Sequence, residues 1–247
     1  MSRVFLTHQL NQMRILFVDT ETNGVPQSRW IKEEDWMQWP EILQIAWEIW
    51  DIQEGQEPKC VKSEDYILKQ SSDIKWNSIA ESFHKIPLSL CQNSGNEWTP
   101  VLQMFMDDLL TCQNMVAHNL DFDRKIIRAA LWRCGIKVWS EKSLVESCTM
   151  RGTQGYFNFG LDKIGNPKAP KLTQLHDACI PGTYDCSGGG PWHDAKHDLH
   201  CCALCYWVLC KDQRAPEILT KCCQLTGSQF TNKDISLLQS IKPYTGK

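Results

Sequence analysis

The chain has 247 residues, of which 42% are apolar, and it carries a formal net charge of −3. These values fit a globular protein of one large or two small domains and exclude a chain that is basic throughout. No run approaches the ~20 apolar residues that cross a bilayer, and residues 1–14 lack the apolar core of a secretory signal, so we expect neither a membrane partner nor export.

The cysteines are numerous but do not follow the pattern of a disulfide framework. There are 13 of them, an odd number with irregular spacing. Several lie in apolar segments, where a reduced cysteine packs as a small hydrophobe; these include Cys201, Cys202, Cys205 and Cys210. We therefore expect an intracellular, reducing compartment, either the cytoplasm or the nucleus.

The first half of the chain is predicted to hold three strands followed by two helices. Consecutive apolar residues that stop at Asp19 predict a buried strand over 14–18. The tryptophan-rich stretch 27–40 is expected to be a loop. Apolar periodicity and start signals place the other elements as strands over 42–50 and 59–70 and helices over 73–83 and 95–110.

In the second half, strands and helices alternate before two final helices. The predicted elements are strands over 114–117 and 144–148 and helices over 121–134, 172–180, 193–210 and 215–225. Residues 151–170 are expected to form a loop, the glycine-rich stretch 183–190 to be mobile, and the tail after 226 to be a peripheral helix or partly disordered. This order predicts an α/β domain with a mixed central sheet of about five strands flanked by helices.

Two carboxylates, Asp19 and Glu21, follow the first predicted strand. Side chains two residues apart on a strand point to the same face, so both acids would leave the strand in one direction. Carboxylates this close repel each other unless a cation lies between them, and oxygen ligands of this kind suit Mg²⁺ or Mn²⁺. A strand-end turn with two solvated acids explains the pair at least as well, so this segment decides nothing alone.

A second segment places Asp121 and Asp123 at the start of a predicted helix. Acids are favoured there by the helix dipole and by capping, and the two aspartates compete for that role. Phe122 is expected to point into the core, which would leave the two aspartates facing different directions. An ordinary capping role accounts for either acid taken in isolation.

A third segment joins His193, Asp194 and Asp198. If Asp194 caps the following helix, His193 falls in the preceding loop. Asp198 then lies on an apolar helix stripe with Cys202 and Cys205, where an acid should face a partner or a metal ion. A surface loop histidine is the ordinary alternative for His193.

Together the three segments resemble the motifs of the DEDDh group of the DnaQ-like 3′–5′ exonucleases, which share a ribonuclease H-like fold. Residues 17–24 look like the first motif, 117–123 like the second with its acid at Asp123, and 193–198 like the third. Residues 39–46 and 83–86 resemble the connecting segments. The resemblance implies an exonuclease domain over 1–212, followed by a C-terminal helical extension over 213–247 that packs on the same domain.

The resemblance also implies a mechanism. Asp19, Glu21 and Asp198 would hold two Mg²⁺ or Mn²⁺ ions, and Asp123 would complete the site directly or through water. His193 would be the general base, and the products would be nucleoside 5′-monophosphates released from the 3′ end of DNA or RNA. Contacts with the terminal nucleotide would come from Thr22, Asn23, His118 and Asn119.

Several alternatives stay open at the level of sequence. The fold could serve a structure-selective ribonuclease H-type endonuclease, or a nucleic-acid-binding module without turnover. A zinc site could be built from His193, His197, His200 and Cys201, with Cys202 and Cys205 or Cys186 nearby. The partner is expected to be a nucleic acid with a free 3′ end, single-stranded by preference. Whether a polymerase or a second copy of the chain also binds is left undecided.

Overall fold

Strand β1 is the centre of a mixed sheet. The computed structural model describes residues 12–28, 30–140, 144–181, 192–224 and 229–245. Within them, five strands form one sheet in the order β3-β2-β1-β4-β5. β1, β2 and β3 are antiparallel neighbours, whereas β4 and β5 run parallel to β1. The strands are β1 Gln12–Thr22, β2 Ile42–Gln53, β3 Lys59–Ile67, β4 Asn114–Ala117 and β5 Val145–Cys148. The predicted α/β class with a mixed sheet flanked by helices is confirmed.

The helices follow the predicted order with a few differences. The described α-helices are α1 Ser78–His84, α2 Leu88–Ser94, α3 Trp98–Leu109, α4 Leu120–Arg133, α5 Thr149–Gly152, α6 Leu172–Cys179, α7 Ala195–Lys211, α8 Ala215–Gln224 and α9 Asn232–Ser240. The sequence pattern missed α2 and the single turn α5. The 27–40 loop holds only a short 3₁₀ turn at Trp36–Gln38. The stretch 183–190, predicted to be mobile, lies outside the described residues.

The predicted end of β1 at Asp19 is wrong, because the strand continues to Thr22. β2 pairs with it along this whole length, with Ala46 opposite Asp19 and Gln44 opposite Glu21. Backbone pairing with a long, buried partner strand therefore outweighs the local change from apolar to acidic side chains. Both acids lie inside a hydrogen-bonded strand and not in a turn.

Alternate side chains of β1 serve two different cores. Leu16 and Val18 belong to an apolar cluster that includes residues of α3 and α4. Ile15 and Phe17 belong to a second cluster that includes residues of α7. Because strand side chains alternate, Asp19 and Glu21 continue the row of Ile15 and Phe17 on the α7 side. Thr20 continues the other row, on the α4 side.

The C-terminal helices pack on the same core as the sheet. Leu219 of α8 and Leu237 and Leu238 of α9 join the cluster that contains Phe17. This agrees with an extension that packs on the same domain, although the predicted boundary at 212 stays a prediction. Among the described residues, no helix combines the length and hydropathy needed to cross a membrane.

The cysteines are mostly, but not all, reduced thiols. Those with free thiols are Cys60, Cys91, Cys112, Cys134, Cys148, Cys179, Cys202, Cys205, Cys210 and Cys223. Cys201 is buried in the core cluster that contains Phe17, as predicted, but it is disulfide-bonded, so the prediction that it is reduced is wrong. The predicted compartment stays a prediction.

Candidate active site

Asp19 and Glu21 lie on the face of β1 that α7 covers. Both are partly buried, whereas Phe17, earlier in the same row, is fully buried. The row thus changes from apolar to acidic as the strand leaves the core, and the charge of Glu21 is near enough to contribute to the raised pKa of Asp19. Two strand positions therefore place two carboxylates opposite the N-terminal turn of α7.

Asp123 reaches the site from α4, while Asp121 does not. Asp123 is only 3% exposed, and its Oδ1 accepts a hydrogen bond of 2.8 Å from the Thr20 hydroxyl. Asp121 is exposed and pairs with Lys125 at 3.0 Å and with Arg124 at 3.4 Å on the helix surface. The two aspartates face different directions, as predicted, and Asp123 is the one that lies beside β1.

The N-terminus of α7 brings His193 and Asp198 to the same place. Asp194 is the N-cap, and its Oδ1 accepts a hydrogen bond of 3.0 Å from the His197 amide. His193 precedes the cap with a φ of 69°, and its amide donates to Asp198 Oδ2 at 3.3 Å. Two residues five positions apart on a continuous helix would not share a face. The left-handed turn at His193 folds the loop back, so that His193 contacts Asp198 directly.

The His193 side chain is exposed, with a neighbour on α1. The Phe83 ring stands edge-on to the imidazole, with 5.8 Å between the ring centroids. His193 is therefore held at the open side of the acidic cluster, where a substrate can reach it.

Burial raises the pKa of Asp19, Glu21, Asp123 and Asp198, and neighbouring negative charges add to the shift at all of these except Asp123. Burial, followed by the charge of Asp198, raises the pKa of Glu21 to about 8. Burial raises the pKa of Asp123 to about 7, against the opposing hydrogen bond from Thr20. Burial likewise raises the pKa of Asp198 to about 7. The pKa of Asp19 is raised well above its usual value by burial and then by the charges of Asp123, Asp198 and Glu21.

The donor set fits a hard divalent cation. One ligand atom from each of Glu21, His193 and Asp198 lies within 4.8 Å of the others. Asp198 Oδ1 is buried and accepts no hydrogen bond from any residue that the structure describes. A buried carboxylate oxygen without a partner is costly, and a cation beside it would remove that cost. Oxygen-rich sites of this kind suit Mg²⁺ or Mn²⁺.

The four residues predicted to contact substrate have other partners in the protein. Thr22 donates its hydroxyl to the Gly24 carbonyl at 2.7 Å. The Asn23 amide bridges the Lys75 carbonyl and the Asn77 N–H, at 2.8 Å each. These bonds join the loop after β1 to the start of α1. Nucleotide contact by either side chain stays a prediction.

His118 and Asn119 precede α4. The His118 ring nitrogens lie 3.0 Å from Thr149 Oγ1 and 3.2 Å from the Pro170 carbonyl oxygen. Burial lowers the pKa of His118 to about 4, so the ring is neutral at pH 7. Asn119 is the N-cap of α4, with a φ of 77° and no capping hydrogen bond from its side chain. His118 thus contacts the start of α5 and the loop before α6. Its contact with a nucleotide stays a prediction.

In the described part of the chain, the alternative zinc residues do not form one group of ligands, although His197 Nε2 lies 3.6 Å from Cys201 Sγ. His193 groups with Glu21 and Asp198. His200 Nδ1 lies 3.2 Å from Glu48 Oε1, and Cys201 is disulfide-bonded. The Cys186 alternative lies outside the described residues.

Two residues of the site were not singled out by the sequence. Thr20 lies between the two acids of β1 and holds Asp123 from the opposite face of the strand. Gln44 on β2 donates to Asp194 at 3.2 Å and accepts from the Ala195 amide at 3.1 Å. The position of Thr20 between Asp19 and Glu21 was a usable signal, because an alternating strand must turn it toward the other face. Gln44 had no such signal, since its partners lie about 150 residues away.

Comparison with known proteins supports the fold. No protein-family model matches the sequence, and no curated protein matches it. E. coli exonuclease I in complex with a dA16 oligonucleotide superposes with a TM-score of 0.60 at 18% identity, over 84% of this chain and 42% of that chain. The zinc-bound E. coli exonuclease I–ssDNA complex gives 0.52 at 15% identity, over 77% and 38%. Exonuclease I from Methylocaldum szegediense gives 0.58 at 16%, over 84% and 42%.

The fold is ribonuclease H-like. At these identities the similarity extends to the fold, and the chain spans less than half the length of each exonuclease I chain.

Proposed function

We propose that the chain is a metal-dependent 3′–5′ exonuclease that releases nucleoside 5′-monophosphates from single-stranded nucleic acid. One observation carries the proposal. Carboxylates from β1, α4 and α7 converge beside an exposed histidine, and one buried oxygen among them, Asp198 Oδ1, has no hydrogen-bond partner among the described residues. This assembly fits phosphodiester hydrolysis better than it fits a structural role, because repelling acids destabilise a core.

The acids would hold two Mg²⁺ or Mn²⁺ ions through Asp19, Glu21 and Asp198, with Asp123 as the fourth carboxylate. When bound, such ions supply charge that stabilises the attacking and leaving oxygens of a phosphoryl group. A site with net negative charge binds a phosphate only together with cations. The carboxylates would therefore fix the position of the scissile phosphate by fixing the positions of the cations.

His193 would act as the general base. Its ring is exposed beside Glu21 and Asp198, so it can accept the proton of an attacking water at the mouth of the cluster. The Phe83 ring limits its orientations, and the turn before Asp194 keeps it off the helix. Histidine is the side chain that most often serves as a general base in enzymes.

The preference for a single strand rests on the neighbours of the fold. The exonuclease I structures include complexes with a dA16 oligonucleotide and with ssDNA, and one of them binds zinc. By analogy of fold, we propose a single strand with a free 3′ end as the substrate class. The sugar is not specified by the residues described, so DNA and RNA are both candidates.

The proposal is tested by digesting 5′-end-labelled single- and double-stranded DNA and RNA with Mg²⁺, Mn²⁺ or EDTA. A stepwise ladder that shortens from the 3′ end, stops in EDTA and yields 5′-monophosphates supports it. Internal cuts in a circular or 3′-blocked strand would instead support the endonuclease alternative. Binding without any cleavage would support the module without turnover.

A further inference from the structure

We propose that Gln44 is a positioning residue that fixes the N-terminus of α7 against the sheet and so places His193 and Asp198 relative to Glu21. This inference rests on the proposed function for its catalytic consequence. Gln44 lies on β2, directly opposite Glu21 in the register of β1 and β2, and is only 3% exposed. It is thus attached to the strand that carries one side of the acidic cluster.

Both N–H donors and the carbonyl oxygen of the Gln44 amide make hydrogen bonds. Nε2 donates to Asp65 Oδ1 at 2.9 Å and to Asp194 Oδ2 at 3.2 Å. Oε1 accepts from the Ala195 N–H at 3.1 Å. A primary amide has two donors on one nitrogen beside an acceptor oxygen, and this set matches two carboxylates and one peptide N–H.

The contacts act where α7 begins. Ala195 is the first residue of α7, and its N–H is one of those that the helix itself cannot satisfy. Asp194 caps the same turn through its other oxygen, Oδ1, which accepts from the His197 amide. Gln44 therefore holds both the cap residue and the first helical residue, and it fixes this helix end from another element of the fold.

The turn held in this way carries the catalytic groups. His193 immediately precedes Asp194, and Asp198 lies one turn into the helix with its amide bonded to the Asp194 carbonyl at 2.9 Å. A rotation of the cap would move both groups away from Glu21. Removing a residue that hydrogen-bonds to the metal-binding groups without touching the metal typically lowers metal affinity or activity by 10–100-fold.

A purely structural role predicts a different result. Gln70 supplies the matched control, because it is also a buried glutamine, 4% exposed. Its Nε2 donates to the carbonyls of Ile42 and Leu68 and to no residue of the acidic cluster. Both Gln44→Met and Gln70→Met replace a buried amide by an apolar chain of similar length, so both should lower thermal stability. Only the first should disturb the site.

The experiment measures Mn²⁺ affinity by calorimetry and steady-state hydrolysis of a 3′-OH oligonucleotide for the parent chain and both variants. We expect Gln44→Met to weaken Mn²⁺ binding and lower kcat by roughly 10–100-fold each, with KM for the oligonucleotide unchanged. Gln70→Met should keep the Mn²⁺ affinity and kcat of the parent. Parent-like values for Gln44→Met, or equal losses in both variants, would overturn the proposal.

A reciprocal variant separates positioning from simple loss of packing. Gln44→Glu alone sets a third carboxylate against Asp65 and Asp194 and should be at least as impaired as Gln44→Met. Adding Asp65→Asn and Asp194→Asn reverses the direction of these two hydrogen bonds, because the side-chain amides at 65 and 194 then donate to the carboxylate at 44. The substituted residue at 194 can still cap α7, because asparagine is a good N-cap. We expect this triple variant to regain most of the Mn²⁺ affinity, and no recovery would count against the proposal.

The two proposals fail in distinguishable ways. A parent chain that binds Mn²⁺ but hydrolyses nothing overturns the exonuclease proposal, while the Mn²⁺ affinities of the variants still decide the role of Gln44. A parent chain that binds no Mn²⁺ overturns both.

Discussion

The Thr20 hydroxyl donates a hydrogen bond of 2.8 Å to Asp123 Oδ1, which joins β1 to α4 across 103 residues of sequence. Thr20 lies between Asp19 and Glu21 but faces the opposite side of the strand. The three consecutive residues therefore contribute to one site from both faces of β1, two as acids and one as the donor that holds a third acid.

Replacing Thr20 tests this relationship. Thr20→Val keeps the shape of the side chain but removes the donor, so the pKa of Asp123 should rise further above about 7. We expect a loss of kcat of about 10-fold and a pH profile displaced to higher pH, because the carboxylate must be ionised to bind a cation. Thr20→Ser keeps the hydroxyl and should behave like the parent. An unchanged pH profile for Thr20→Val would contradict this prediction.

The metal-free protein should lose stability as pH rises. Folding raises the pKa of Glu21 from 4.5 to about 8, and those of Asp123 and Asp198 from 3.8 to about 7. At these groups the folded state thus binds more protons than the unfolded state, so their contribution to stability is full below about pH 4 and is lost as the pH rises to about 8. His118, whose pKa burial lowers to about 4, contributes in the opposite sense at the acidic end of this range. Thermal unfolding in EDTA across this range measures the slope.

Divalent cations should remove this loss. We expect Mg²⁺ or Mn²⁺ to raise the melting temperature strongly at pH 8 and little at pH 5, where protons already occupy the carboxylates. Glu21→Gln should flatten the profile in EDTA, because it removes a carboxylate whose pKa folding raises to about 8. A melting temperature in EDTA that rises from pH 5 to pH 8 would be inconsistent with the acidic cluster described.

The acidic pair on α4 offers a direct comparison of neighbours. Asp123→Asn should abolish metal-dependent hydrolysis, as should Asp19→Ala and Asp198→Ala. Asp121→Asn should retain the parent rate, since Asp121 is exposed and pairs with Lys125.

His193→Ala should slow hydrolysis roughly 10²–10⁴-fold, the usual contribution of a general base. Initial rates on a labelled oligonucleotide measure all five variants, and near-parent rates for the first three would rule out the assignment.

His118 can be assigned to stability or to substrate binding by one substitution. Its ring contacts Thr149 and the Pro170 carbonyl, so His118→Ala should lower the free energy of unfolding by about 1–3 kcal/mol. Urea denaturation measures this change. Unchanged stability together with a raised KM would instead support the predicted contact with the nucleotide.

The sequence predicted the parts of the site that depend on local pattern. Strand alternation placed Asp19 and Glu21 on one face, and capping by Asp194 placed His193 ahead of the helix. The choice of Asp123 over Asp121 came from the family resemblance, and the structure places Asp123 beside Thr20. The first two inferences hold in the structure because each depends on residues within a few positions of one another, whereas the role of Asp123 in the site stays a prediction.

Features set by distant contacts could not be predicted in this way. β1 extends to Thr22 because β2 pairs with it. The acidic residues at 19 and 21 do not by themselves predict that pairing. Gln44 holds a helix end from about 150 residues away. Helix α2 was missed because residues 88–94 form less than two full turns, too few for an apolar period to be recognised.

The most direct test of the central claim uses a 5′-labelled single strand with either a free or a blocked 3′ end. In Mg²⁺, the parent chain should shorten the free strand stepwise from its 3′ end and leave the blocked strand intact, and Asp198→Asn should cleave neither. Cleavage of the blocked strand, or an equal rate for Asp198→Asn, would contradict the account.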